Sequence, residues 1–175
     1  VALVLALFGG IGLALLVESL DSSVKNQDQL EKELGLTFLG MVPKIKQQRG
    51  KKANRFEASG PVDHDRYVLE YPHSTAAECV RTVRTNLLFM TPGRPLRKLL
   101  VTSAGPREGK TSTSVNVAAS MATSGTKVLL IDTDLRRPRI HRVFDMTNDR
   151  GLSNLVLEPE KPLDQVVQVS DVENL

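Results

Sequence analysis

Two motifs restrict the fold more than anything else in this sequence: Ala104-Gly105-Pro106-Arg107-Glu108-Gly109-Lys110-Thr111 and, further on, Val128-Leu129-Leu130-Ile131-Asp132-Thr133-Asp134-Leu135-Arg136. The first follows a short run from Lys98 to Ser103 in which Leu99, Leu100 and Val101 are contiguous. Such a run suits a parallel strand buried on both faces. From Lys110 the pattern turns helical, with Val115, Ala118, Ala119 and Ala122 on one face and Gly125 where a helix is usually stopped. Val128 to Ile131 reads as a second apolar strand. Strand, glycine-bearing loop, helix and strand in this order make a phosphate-binding loop. The expected class is therefore α/β, a P-loop NTPase-type parallel sheet flanked by helices.

The residue types give the chemistry. Small or flexible residues at Ala104, Gly105 and Gly109 let backbone amides close around phosphate oxygens, and the helix start adds partial positive charge. The binding segment is expected to run through Gly105, Pro106, Arg107, Glu108, Gly109, Lys110, Thr111 and Ser112. Within it Lys110 neutralises terminal phosphates and the Thr111 hydroxyl holds Mg²⁺. The second strand delivers Asp132 and Asp134 to its C-terminal end, where ligands bind in open α/β sheets. At i and i+2 on extended chain both carboxylates face one way, toward one metal or one hydroxyl. The plainer alternative is that Lys-Thr merely starts a helix and that one of the aspartates caps the next helix or turn.

The pair formed by Ala104-x-x-x-x-Gly109-Lys110-Thr111 and Ile131-Asp132-Thr133-Asp134-Leu135-Arg136 resembles the Walker A and Walker A′ motifs of the bacterial tyrosine kinases. Their catalytic domain is related to P-loop ATPases. Glu78, Arg81 and Arg84 match the Glu-x-x-Arg-x-x-Arg motif that assembles kinase domains into a ring in that family. Leu36 to Pro43 is similar to the membrane-proximal stretch of polysaccharide co-polymerases that carry such a kinase. The resemblance implies ATP and Mg²⁺ as cofactors, catalytic roles for Lys110, Asp132 and Asp134, and metal binding by Thr111, Asp132 and Asp134. Asp132 or Asp134 would orient or deprotonate a tyrosine hydroxyl from a neighbouring subunit, while Arg136 and Arg137 would secure the loop or contact that neighbour. The implied function is tyrosine autophosphorylation that regulates exopolysaccharide or capsule polymerisation and export at the bacterial inner membrane. Its partners would be neighbouring kinase subunits and the polymerisation machinery.

Two family features are not found. Nothing from Thr147 to Leu175 reads as an apolar strand closing in Asp-x-x-Pro, and there is no tyrosine-rich tail, Tyr67 and Tyr71 both preceding the loop. They read as linker or surface residues and poor acceptors. The chain starts at Val1 without methionine, and it reads as an internal fragment, inactive by itself.

The rest of the chain is organised around a membrane. Val1 to Val17 is apolar or glycine throughout and ends at Glu18, which reads as a truncated transmembrane helix. Residues 18–43 form a membrane-proximal unit: Asn26 and Gln29 open a helix, Leu30 and Leu34 line it, Gly35 closes it, and Leu36 to Val42 is a strand. Residues 44–73 read as a flexible linker, with a basic run at Lys44, Lys46, Arg49, Lys51, Lys52 and Arg55 that suits an anionic membrane face. The net charge of +3 is modest, and the run lacks aromatic interleaving, so no nucleic acid is expected as a partner. Residues 74–175 form the kinase-like part, with the soluble domain in the cytoplasm, as the single Cys79 also suggests. Its first helix, Ala76 to Phe89, buries Val80, Val83 and Leu87, while Glu78, Arg81 and Arg84 flank the stripe, otherwise an ordinary ion-pair ladder. His64, His73 and His141 lack metal-ligand spacing and are assigned no chemistry. Two other classes compete with a kinase. One is a membrane-associated positioning ATPase, whose extra P-loop lysine is Gly105 here; the other is a nucleotide-binding scaffold without kinase activity.

Overall fold

The computed structural model describes residues 2–20, 31–32, 35–43, 65–90 and 93–175. The chain divides into two compact units, Val1–Phe38 and Leu39–Leu175. In the first, α1 spans Ala2–Leu20, 19 residues, or about 28 Å at the helical rise. Glu18 and Ser19 interrupt its apolar run. Among the described residues no helix is long and apolar enough to cross a membrane. Gly35 takes a left-handed φ of +62° and its N–H donates to the Glu31 carbonyl at 3.1 Å, the helix stop expected there. The start of that helix at Asn26 and Gln29, its Leu30 and Leu34, and the basic run from Lys44 to Arg55 lie outside the described residues.

The second unit is built on one buried helix. Its elements are α2 (Tyr67–Glu70), α3 (Thr75–Phe89), α4 (Lys110–Ala122), α5 (Ile140–Val143), α6 (Leu152–Leu157) and a 3-10 turn at Leu163–Gln165. Ser74 caps α3, its hydroxyl accepting the Ala77 N–H at 3.1 Å. The expected stripe of Val80, Val83 and Leu87 is buried. So are Val115, Ala118, Ala119 and Ala122 of α4. From Val115 to Ala122 the sequence carries no charge, which permits α4 to be covered on two sides. On one side Val117 joins Tyr67, Val68, Val80, Val83 and Leu87. On the other, Val115 and Ala122 meet Val143, Phe144 and Val172.

The apolar runs expected as strands lie outside every helix and form no ladder among the described residues. Val128 and Leu130 pack toward α4, whereas Leu129 and Ile131 are 53% and 52% exposed. Leu100, at 80%, is more exposed still. A run buried on both faces needs a covering layer on each, and here α4 covers one. Leu36 to Val42 likewise lies outside every helix and is in no ladder among the described residues. Leu39 packs against the α3 cluster, and its carbonyl accepts the Asn86 side-chain amide at 2.8 Å. Gly40 is needed for that approach: a Cβ there would sit 2.8 Å from Val83 Cγ2. The unit expected over 18–43 is therefore divided, its last residues belonging with α3.

The linker expected over 44–73 also ends too late. Tyr67 and Val68 are 4% and 5% exposed, core residues rather than linker or surface. A four-residue helix is too short to show periodicity, so α2 left no pattern to read. What fixes it is Asn116, fully buried at the middle of α4. Its side-chain oxygen accepts the Val68 N–H at 2.9 Å, and its amide donates to the carbonyls of Asp65 (3.1 Å) and Ser112 (2.8 Å). Replacing it strands a buried donor and two acceptors. Asn116→Ala is expected to cost about 2–4 kcal/mol, read as a lowered denaturation midpoint. A loss below about 1 kcal/mol would mean that the α2 segment is not held by this side chain.

Candidate functional site

The glycine-bearing loop leads directly into α4. Gly109 is the N-cap with φ +88°, and its carbonyl accepts the Thr113 N–H at 2.8 Å. The left-handed turn swings the chain from loop to helix, a conformation an L side chain resists. Arg107 also has positive φ, +64°, at the crest of the loop. Lys110 folds back across it, its Nζ donating to Ser103 Oγ at 2.8 Å and to the Gly105 carbonyl at 2.9 Å. An ammonium held by neutral oxygens above a helix N-terminus favours an anion in the same space. Ser103, which places Lys110, stands before the loop and outside its motif.

Glu108 already uses part of this loop. Its Oε2 accepts the Gly105 N–H at 2.9 Å. That bond first, then the Ser103 hydroxyl and the nearby Lys110 charge, hold its carboxyl below the usual carboxylate range. Ser112 lies elsewhere: its hydroxyl donates to Asp65, a buried carboxylate that also pairs with Arg139. Asp65 gives no signal in the sequence, where it stands in a polar stretch outside any motif.

Both motif aspartates are engaged by backbone. Asp132 Oδ2 accepts the N–H groups of Arg139 and Ile140 at 2.8 and 3.1 Å, capping α5 across a gap in sequence, and its Oδ1 accepts the Asp134 N–H at 3.0 Å. Asp134 Oδ1 accepts the N–H groups of Arg136 (3.3 Å) and Arg137 (3.0 Å). The capping role considered for one of them thus describes both. Each carboxylate keeps further acceptor capacity. Among the described residues no cluster of three or more His, Cys, Asp or Glu side chains is gathered for a metal.

The Glu78, Arg81 and Arg84 set finds partners within the chain. Glu78 pairs with Arg81, which also donates to the Pro72 carbonyl at 2.6 Å. Arg84 donates to the Ser120 carbonyl at 2.7 Å, fastening α3 to α4. Burial first, then the charge of Cys79, pushes the Tyr67 hydroxyl up to about 12. A buried, hard-to-ionise phenol is unsuited as a phosphoryl acceptor.

Residues 106–175 match the family model of the AAA domain. The chain is 41% identical over 104 residues to the tyrosine-protein kinase YwqD of Bacillus subtilis, covering 59% of this chain and 44% of that protein. It is 34% identical over 174 residues to the tyrosine-protein kinase etk of Escherichia coli K12, covering 94% of this chain and 23% of that protein. The solved kinase domain of Escherichia coli ETK superposes with a TM-score of 0.66 at 33% identity, over 83% of this chain and 55% of that one. The chain is a relative of the bacterial tyrosine-protein kinases. It spans less than half the length of these two curated relatives. The likeness supports the α/β NTPase fold and a nucleotide-binding P-loop, although no ladder is formed among the described residues.

Because Asp132 caps α5, its charge and its hydrogen bonds can be separated. Asparagine caps nearly as well as aspartate, whereas alanine forfeits about 1 kcal/mol or more. Asp132→Asn keeps one acceptor oxygen for the Arg139 and Ile140 amides and gives up the bond from the Asp134 N–H, so it should lower the melting temperature less than Asp132→Ala does. In a nucleotide-dependent assay, equal activity of wild type and Asp132→Asn would confine Asp132 to the cap.

Proposed function

We propose that this chain carries the nucleotide-binding part of an ATP-dependent protein-tyrosine kinase. The observation that supports it most is Lys110, whose ammonium is held across the loop at the head of α4 by Ser103 and Gly105. The residues fit a Mg·ATP complex: the backbone N–H groups of Gly105 and of Arg107 to Thr111, with the Lys110 ammonium, would hold phosphates, and Thr111 with Asp132 or Asp134 the metal. Bound there, Mg·ATP supplies the phosphoryl group and neutralises charge between its phosphates. The chain's own part is positioning. Lys110 fixes the phosphate end, the α4 dipole favours negative charge beside it, and Asp132 or Asp134 orients or deprotonates an incoming tyrosine hydroxyl. A second reading, a scaffold that binds nucleotide without transfer, draws support from the backbone bonds that occupy both aspartates.

Lys110→Met removes the main phosphate counter-charge. In the full-length protein it should abolish ATP binding and tyrosine phosphorylation together. Wild-type phosphotyrosine in that variant would defeat the kinase reading, and ATP binding without any phosphorylation in the wild type would favour the scaffold.

The reading extends to setting. The apolar helix α1, the basic run beyond it and the need for ATP support a bacterial inner-membrane protein with residues after Glu18 in the cytoplasm. Its activity would serve exopolysaccharide or capsule polymerisation and export, within a ring of like subunits contacting through Glu78, Arg81 and Arg84. Fractionation should find the full-length protein in the membrane. Alanine at all three ring positions should lower its sedimentation coefficient and leave nucleotide affinity nearly unchanged. Soluble protein, or unchanged sedimentation, would remove the corresponding part of this proposal.

A further inference from the structure

Beside the phosphate loop lies a cleft of about 670 Å³ with an unusual wall. Arg107 comes from the loop, and Arg136, Arg137, Arg139 and Arg142 come from the segment after Asp134, together with His141. Among the described residues only Arg139 of these five has a carboxylate partner, the buried Asp65. Asp134 is close in sequence, but its Oδ1 is given to the backbone amides of Arg136 and Arg137. Asp132 holds the amides of Arg139 and Ile140. The two aspartates therefore fix the backbone that carries the arginines. Among the described residues Arg107, Arg136, Arg137 and Arg142 are left without a carboxylate partner. His141 Nδ1 is buried and has no hydrogen-bond partner among the described residues.

Guanidinium groups crowded on one wall repel one another, and an anion inserted between them relieves that repulsion. Their planar forks match phosphate oxygens in paired hydrogen bonds. A dianionic phosphate has enough acceptors for several forks at once, more than one carboxylate offers. The volume is in the range of small-molecule sites, larger than a bare phosphate needs. We propose that this cleft is a second anion site, separate from Lys110 and its loop, that takes a phosphate monoester, the phosphate among the arginines and its organic body in the remaining space. The proposal does not depend on kinase activity.

The test uses the full chain at low salt, with phenyl phosphate as the monoester probe and inorganic phosphate as its control, followed by calorimetry. Phenyl phosphate should bind at one site, tighter than inorganic phosphate. Arg136→Gln with Arg142→Gln should weaken it by about tenfold or more, and Lys110→Met should change it by less than about twofold. Arg137→Gln, at an exposed position, should by itself weaken binding severalfold without lowering the melting temperature, which guards against a double variant that fails to fold. Loss of phenyl phosphate binding in Lys110→Met with none in the arginine variants would place the anion in the P-loop and overturn the proposal. Equal affinity for inorganic phosphate would overturn the ester, and absence of saturable binding would overturn the site.

Discussion

The buried carboxylate of Asp65 ties together three parts of the chain that the site requires. It accepts the Ser112 hydroxyl from the first turns of α4, pairs with Arg139 at the start of α5, and offers its own carbonyl to Asn116 in the α4 core. A charge at 3% exposure is tolerable only with such partners. Withdrawing the Ser112 hydroxyl, or the Arg139 guanidinium that is itself 60% exposed, leaves the buried carboxylate under-satisfied at a desolvation cost. The cost makes the arrangement a constraint on geometry: the phosphate loop, the segment before α2 and the arginine segment after Asp134 cannot shift independently. Asp132 repeats the connection from the other side by holding the backbone of Arg139 and Ile140.

What was legible in the sequence is what repeats or what is locally encoded. The 3.6-residue spacing of Val80, Val83 and Leu87, and of Val115, Ala118 and Ala122, named buried faces that the structure contains. Gly109 and Gly35 marked left-handed turns where only backbone freedom serves. Less legible were features set by long-range contacts. Asp65 and Ser103 acquire their roles from residues remote in the fold or across a loop, and the α2 segment is held by one asparagine from a different helix. The runs at Lys98 and Val128 show the opposite error. Their composition suits double-sided burial, but composition specifies what a run tolerates, not how many layers cover it.

The motif aspartates illustrate how one residue can satisfy two readings. A carboxylate at the end of an extended run is well placed for a metal or a hydroxyl, and equally well placed to accept the first amides of the next helix. Here the backbone bonds are present, and they orient the carboxylates as firmly as any dedicated support would. Structural use does not remove chemical capacity, because each oxygen can accept more than one hydrogen bond. Charge, rather than position, is then the property that separates a cap from a participant in phosphoryl transfer.

Glu108 adds a constraint to the loop itself. Its carboxylate accepts the Gly105 amide beside Lys110, so the loop holds a negative group of its own within the positive field of the α4 start. A phosphate entering there must take over that amide, and the net gain is the difference between two anions rather than the full value of one. Phosphate has the advantage of greater charge and more acceptor oxygens, and Lys110 reaches the same space. Glu108 is exposed to solvent and can turn outward at little cost, where water replaces the Gly105 bond. With a phosphate bound there, the loop would exchange a weak internal anion for a stronger external one, and the Gly105 amide would be satisfied in both states.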